Sequence, residues 1–370
     1  MAKSYYKLYK TDVDNDYFWV KNESGMPAYV FLYVTGGKST FTDDNVISYS
    51  KDKVTWESTE RTLDTQIYLE PYQKIYLRSS GGWSKSISNY ITIMLNRAYS
   101  IGGPLASLID YTDMENVISV PDWCFRGLCT RTINTGEQSA KYLVDISQID
   151  FGNITTIGEG SFYQAFYVSQ NSGGACNIKT LPDLTGITTI GRQGMWQMFT
   201  GANSLTGKLS MPNLTSIGFG GIETAFSYTN FTEAPDFSSL TTIGDEGLFH
   251  TFEYNYNMKG QPIMSNVASI GDKGMSQCFY NNYKLTKGAD LSSCTTIGSI
   301  PFQNCYFNCR KLEEVTAPNI SSWNTSYFNN WLGGAGSQVS GTKTFKAPTG
   351  LDIPTDSTAG IPTGWTRVDY

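Results

Sequence analysis

The sequence predicts an α+β chain in which an N-terminal antiparallel β-sandwich precedes a solenoid of about six 27-residue coils, with a cap at each end of the stack. Two observations lead to this prediction. A motif of the form TTIG recurs six times, and its glycines are separated by 33, 27, 26, 27 and 27 residues. The first hundred residues carry no such repeat and instead alternate between short apolar runs and turn residues.

Within each repeat, apolar residues recur at fixed distances from the motif glycine, which we number zero. Position −1 is always Ile, and position +8 is aromatic in every repeat (Phe166, Phe199, Phe226, Phe252, Phe279 and Tyr306). Positions −7, −4 and −1 predict a short strand, and positions +4 and +8 predict a short helix with one buried face. Asp245, Asp272 or Ser299 directly after the glycine could cap that helix. Stacked coils would bury these columns, so we expect the isoleucines to lie in single file.

The stretch "VISVPDWCFRGLC" (117–129) resembles a degenerate first coil with Phe125 at position +4. We therefore divide the chain into a sandwich for attachment or oligomerisation (1–112), an N-terminal cap with the degenerate coil (113–150), the repeat solenoid (151–332) and a C-terminal cap (333–370). The predicted sandwich strands are "AYVFLYVT", "NVISYS", "VTWEST", "QIYLEP", "KIYLRSS" and "YITIMLN". We expect Gly102, Gly103 and Pro104 to end this pattern.

Composition and motifs exclude several functional classes. The net charge is −6 without a basic cluster, which argues against a nucleic-acid partner. No run is long enough to span a membrane, and the N-terminus has no apolar leader, so we expect synthesis without Sec export. The seven cysteines form no CxxC pair, and we interpret them as buried thiols of a protein folded in a reducing compartment.

We expect no metal and no cofactor. Cys305 and Cys309 lie four residues apart, but no histidine or second pair completes a zinc site. The stretch "DVDNDYFWVKNE" (12–23) has the acidic spacing of a calcium loop, yet Tyr17 stands where such a loop needs Gly. A solvated acidic turn is the favoured interpretation.

No catalytic set is evident. His250 is the only histidine, and neither a GxSxG motif nor a phosphate-binding loop motif occurs. Carboxylates for glycoside cleavage could come from Asp236, Asp245, Glu246, Glu253, Asp272 or Asp290, but most of them stand where helix capping explains them.

Aromatic residues make up 14% of the chain, with 24 tyrosines. Outside the core columns they mix with Asn, Ser, Thr and Gly, a composition typical of recognition surfaces. The predicted ligand-binding residues are Trp196, Tyr228, Tyr254, Tyr256, Tyr280, Tyr283, Trp323 and Trp331. The alternative is that these rings fill space between coils and a cap or a neighbouring subunit.

Several stretches resemble fibre-like virion proteins of gut Bacteroidales phages and prophages: "ISYSKDKVTWES", "IYLEPYQKIYLRSS", "AYSIGGPLASLIDY" and the closing "IPTGWTRV". The coils resemble the BspA type of leucine-rich repeat. In this sequence Lys53 replaces a glycine of the family's first motif, and the period is 27 rather than about 23.

The resemblance implies a leucine-rich-repeat-like solenoid in a non-enzymatic virion fibre of head or tail. Its partners would be other virion proteins, further copies of itself in a homo-trimer, and a host cell-surface glycan or protein. A bacterial cell-surface adhesin and a polysaccharide-degrading spike remain alternatives.

Overall fold

The structure, a computed structural model, describes residues 16–35, 47–58, 65–79, 90–130, 139–169, 176–355 and 359–370. In the N-terminal region the strands are β1 (Phe18–Asn22), β2 (Ala28–Thr35), β3 (Ile47–Ser50), β4 (Glu57–Ser58), β5 (Thr65–Leu69), β6 (Lys74–Ser79), β7 (Tyr90–Leu95) and β8 (Tyr99–Pro104). Helix α1 (Ala106–Asp110) and a 3-10 helix (Met114–Asn116) follow, then β9 (Ser119–Val120), a second 3-10 helix (Ser139–Tyr142) and β10 (Leu143–Asp150).

The described residues of the N-terminal region form two sheets. One has six strands in the order β10-β8-β1-β6-β3-β4, and the other has three in the order β5-β2-β7. All pairings are antiparallel except that of β10 with β8, which is parallel. Alternate residues of both sheets, such as Val20, Ile75, Val30 and Ile93, are buried in one hydrophobic cluster. The six strand segments predicted for this region overlap β2 to β7.

The expectation that Gly102, Gly103 and Pro104 end the strand pattern is wrong, because strand β8 runs through all three. The Trp19 ring on β1 packs on Gly102, where a Cβ atom would lie 2.5 Å from the ring carbon Cζ2. Glycine here admits a large neighbour rather than breaking the strand. Strand β1 takes up residues 18–22 of the stretch that was compared with a calcium loop (12–23), whose Asp12 and Asp14 lie outside the described residues.

The repeats stack through a parallel sheet of very short strands. These are β11 (Thr156–Ile157), β12 (Thr189–Ile190), β13 (Ser216–Ile217), β14 (Thr242–Ile243), β15 (Ser269–Ile270) and β16 (Thr296–Ile297), which follow β9 in one seven-stranded sheet. Each motif isoleucine pairs in register with the next, and Val120 pairs with Ile157. The isoleucines therefore lie in single file, as predicted. Phe125 lies 5.4 Å from Phe162, centroid to centroid, which confirms its assignment to position +4.

The segment after the motif glycine is a series of turns, so the prediction of a short helix is wrong. Alternate backbone N–H groups donate to the next coil, as Phe162 does to Gly194 O at 2.7 Å and Gln164 to Trp196 O at 2.8 Å. The N–H groups between them donate three residues back, as Tyr163 does to Gly160 O. Every fourth residue adopts a left-handed conformation, including Gln164 at φ 54° and His250 at φ 54°.

The physical reason for this error is that two structures share the same period. A four-residue apolar repeat places +4 and +8 on one face of a helix, but a series of four-residue turns does the same. A left-handed conformation at a residue other than glycine costs about 1–2 kcal/mol. The hydrogen bonds between coils offset this cost, since they satisfy buried backbone groups that a short isolated helix would leave unpaired at its ends.

The core of the stack is a column of rings at position +8. Phe166, Phe199, Phe226, Phe252, Phe279 and Tyr306 are at most 1% exposed. Successive ring centroids lie 5.1 Å to 5.9 Å apart, with nearly parallel planes. In the last ring of the column, the Tyr306 hydroxyl accepts a hydrogen bond from Ala289 N at 2.9 Å. The seven cysteines are free and buried, as predicted.

Both ends of the stack are covered. At the first coil, Ile91 N and Ile93 N of β7 donate to Cys124 O and Leu128 O at 3.2 Å and 2.7 Å. At the last coil, a parallel sheet of β17 (Glu314–Thr316), β18 (Lys343–Ala347) and β19 (Trp365–Asp369) follows, with a 3-10 helix at Thr325–Phe328. Among the described residues, no helix has the length and apolar character needed to cross a membrane.

Candidate recognition surface

Five of the predicted ligand-binding residues come together on the outside of the turn segments. We call Tyr228, Tyr254, Tyr256, Tyr280 and Tyr283 the tyrosine ladder. They occupy positions +9, +10 and +12 of three successive coils, where the four-residue period of the turns directs side chains away from the +4 and +8 core columns. Tyr256 is the most open of the five, with 43% of its surface exposed, and the other four are half-buried.

The ladder has two columns. In the first, the Tyr228 and Tyr254 rings stack at 4.3 Å, and Tyr254 meets Tyr280 edge to face at 5.6 Å. In the second, Tyr256 and Tyr283 lie 4.9 Å apart with tilted planes. Tyr254 and Tyr256 lie 6.0 Å apart and join the columns into one surface.

Two residues that the sequence analysis did not select extend the ladder toward the C-terminal end. Phe307 stacks on Tyr280 at 5.0 Å and continues the first column. The Arg310 guanidinium lies 4.2 Å from the Tyr283 ring centroid and ends the second column. Both occupy the position of their tyrosine partner in the following coil, so column alignment of the repeats could have found them.

Along the stack, neighbouring rings of the ladder lie against one another, face to face between Tyr228 and Tyr254 and edge to face between Tyr254 and Tyr280. Tyr283 has Tyr256 on one side and Arg310 on the other, and Tyr254 lies between Tyr228 and Tyr280. Tyr283 and Tyr254 therefore have neighbours on both sides along the stack, and Tyr256 is the ladder ring most open to solvent.

The surroundings of three ladder tyrosines favour their protonated form. Burial and the neighbouring tyrosines raise the pKa of Tyr228, Tyr256 and Tyr280, and the Glu253 carboxylate contributes in the same direction. Glu253 is only 9% exposed, and its Oε2 lies 2.6 Å from Nδ1 of His250. At neutral pH these phenols can therefore donate hydrogen bonds as well as accept them.

Trp196 lies in a different column, at position +5. Its ring stacks on Tyr163 at 4.3 Å, and the Arg126 guanidinium lies 5.4 Å from the Tyr163 centroid. On the other side, Trp196 hydrogen-bonds to Glu223. Burial raises the pKa of Glu223 above its usual value, and the hydrogen bond from Trp196 offsets part of this rise. A groove of about 180 Å³ beside this column is lined by Tyr90, Thr92, Arg126, Gly127, Thr130 and Gln164.

The two remaining predicted residues belong to the C-terminal end of the core. Trp331 is 0% exposed and packs near Phe302, Phe328 and Phe345. Trp323 stacks on Phe328 at 3.5 Å and donates from Nε1 to Ala359 O at 2.8 Å. Trp331 is therefore too buried to contact a ligand. Both rings fill the space between the last coil and the cap, as the alternative interpretation of the aromatic residues predicts.

The acids considered for catalysis have structural contacts. Asp245 and Asp272 accept hydrogen bonds from the backbone of the next coil, and Asp290 accepts one from Ser292 N. Lys208, Lys273 and His250 pair with Asp236, Glu246 and Glu253 respectively. Within the described ranges, no group of three or more His, Cys, Asp or Glu side chains is placed to hold a metal ion.

Comparison with known proteins adds little to this geometry. No family model matches the chain, and no curated protein matches it. Among solved structures, a leucine-rich repeat protein from Bacteroides ovatus is similar at 14% sequence identity, over 75% of this chain and 86% of that chain, with a TM-score of 0.17.

Proposed function

We propose that this chain is a non-enzymatic fibre protein of a phage virion that attaches to a host surface through the tyrosine ladder. The single observation that supports recognition at this site is the ladder itself, a row of partly exposed phenols on a rigid stack. Tyrosines supply large contact areas and adaptable hydrogen bonds at low conformational cost, which is why recognition surfaces are rich in them. The ligand in this proposal is a glycan or a protein of the host surface.

The rest of the chain has a consistent role in this proposal. The N-terminal sheets, whose stretches resemble the module of Bacteroidales phage fibres, attach the protein to other virion proteins and join three copies. The hydrogen bonds from β7 to the first coil connect the repeat stack directly to the N-terminal region, as such an attachment role requires. The protein in this proposal is made in the host cytoplasm and carried on the virion.

The proposal is tested by the binding of fluorescently labelled protein to gut Bacteroidales cells. We expect saturable binding that Tyr256→Ala weakens about tenfold, the effect of removing one well-placed contact. Tyr68→Ala is the matched control, because Tyr68 is also exposed, at 38%, but lies on β5. Equal binding by both variants and the parent would contradict a role for the ladder. Reducing ends released from capsular polysaccharide would instead indicate a degrading spike.

A further inference from the structure

The tyrosine ladder has a regular spacing along the stack, and this spacing constrains what can lie on it. In the first column, from Tyr228 to Phe307, the distances between successive ring centroids are 4.3 Å, 5.6 Å and 5.0 Å. The second column advances by 4.9 Å from Tyr256 to Tyr283 and by 4.2 Å to the Arg310 guanidinium. Each coil therefore offers one equivalent contact group per column, at about the spacing of hydrogen-bonded strands.

This spacing argues against an extended peptide as the ligand. A β-strand rises about 3.3 Å per residue and alternates its side chains, so residues on one side recur every ~6.6 Å. Such a strand would lose register with the ladder within two or three coils. One sugar unit of an extended polysaccharide, in contrast, advances by about the distance between neighbouring strands, and successive units can meet successive coils.

The net charge and the stacked pairs of the first column argue against a single-stranded nucleic acid. Bases bind such proteins by stacking on open aromatic faces within a positively charged groove. Here Tyr228 stacks on Tyr254 and Phe307 stacks on Tyr280, which covers faces of these rings, and the chain carries a net charge of −6. Ring edges and protonated hydroxyls instead suit a ligand that carries many hydroxyl and carboxylate groups, because a phenol both donates and accepts hydrogen bonds.

The C-terminal end of the ladder carries positive charge. Arg310 ends the second column, and its Nε donates to Asn308 Oδ1 at 3.0 Å. Lys284 follows Tyr283 directly and donates from Nζ to Asn257 Oδ1 at 2.6 Å. These contacts hold two cations at the C-terminal end of the ladder while leaving further donors on each group. A carboxylate of the ligand is recognised best at that end, where a guanidinium can bind it with two parallel hydrogen bonds.

Building on the proposed function, we infer that the ligand is a linear, uronic acid-containing polysaccharide lying along the repeat stack, with one sugar unit per coil and a carboxylate at Arg310. The site then spans Tyr228, Tyr256, Tyr283 and Arg310, and affinity increases with chain length until the ladder is filled. A site for one terminal sugar would give no such dependence on length.

The test is isothermal titration calorimetry of the full chain with uronate oligosaccharides from polygalacturonate, alginate and hyaluronan, each as dimer, tetramer and hexamer. We expect at least one series to bind about tenfold tighter as tetramer than as dimer, with little further gain for the hexamer. Arg310→Gln should weaken the tetramer about tenfold and leave neutral cello-oligosaccharides unaffected, whereas Tyr68→Ala should change neither. Circular dichroism of each variant confirms that it is folded.

The other outcomes overturn the inference. Binding that does not depend on length would mean a single-sugar site, and binding of neutral oligosaccharides alone would remove the role of Arg310. If no uronate series binds while labelled protein still attaches to cells in a Tyr256-dependent manner, the inference fails and the proposed function stands. If neither occurs, both fail.

Discussion

The carboxylate oxygen Oδ1 of Asp245 accepts a hydrogen bond from the backbone N–H of Asp272, the equivalent residue one coil further along, at 2.8 Å. Asp272 makes the same contact with Ser299 N at 2.6 Å, and Asp122 makes it with Glu159 N at 2.8 Å. The aspartate after the motif glycine therefore joins neighbouring coils. The sequence had predicted that it would cap a helix in its own coil.

Replacing Asp245 with alanine should lower the free energy of unfolding by about 1 kcal/mol, because the Asp272 N–H loses a charged acceptor near the surface. Urea denaturation followed by circular dichroism measures the change. Lys259→Ala is the control: Lys259 is exposed and should alter stability by less than about 0.5 kcal/mol. Equal midpoints for the two variants would mean that the contact between coils contributes nothing.

Gly271 should not tolerate even a methyl group. A Cβ atom there would lie 2.5 Å from Asp245 N and 2.7 Å from Gly244 C, both backbone atoms of the preceding coil. We expect Gly271→Ala to destabilise the protein by about 3 kcal/mol or to prevent folding, since overpacking of this kind forces the backbone apart. At Gly341 a Cβ atom would meet nothing within 4 Å, so Gly341→Ala should have the same Tm as the parent protein. Unchanged stability of the Gly271 variant would show that the coils separate easily.

Lys53 has a left-handed backbone conformation, with φ at 66°. A left-handed lysine is strained relative to glycine, so Lys53→Gly should raise the free energy of unfolding by about 0.5–1 kcal/mol. The gain is limited because the Lys53 ammonium lies 4.6 Å from the Tyr76 centroid. Differential scanning calorimetry would detect the rise in Tm. Lys51→Gly, at an exposed residue two positions earlier, should give no increase.

The same turn predicts a pH dependence. Hydrogen bonds from Thr55 N, Val54 N and the Ser50 hydroxyl lower the pKa of Asp52 to about 2. Because the folded pKa lies below the unfolded value of about 3.9, the carboxylate stabilises the fold above pH ~4, and this stabilisation is lost as pH falls toward 2. The Tm difference between the parent and Asp52→Asn should therefore shrink on acidification. Val54, which is 82% exposed in the same turn and does not ionise, gives the control Val54→Ala, for which we expect a constant difference.

Much of the repeat could be predicted from the sequence, because stacked coils force like residues into columns. The single file of isoleucines, the +8 rings and the role of Phe125 follow from spacing alone. Grouping of the five ladder tyrosines also follows from their positions +9, +10 and +12. The sheets before the first coil were predictable only as strand segments, since their pairing joins residues far apart in the chain.

The alternation of apolar and polar residues with a 27-residue period determined, by itself, that this chain stacks and which side chains the stack buries. Only the tertiary structure decided how the turns are hydrogen-bonded, that Trp331 is enclosed by the C-terminal cap, and that Tyr228 stacks on Tyr254. The physical reason is that a local helix and a series of turns bury the same apolar columns. The choice between them depends on hydrogen bonds to the neighbouring coil, which form only when both coils are in place.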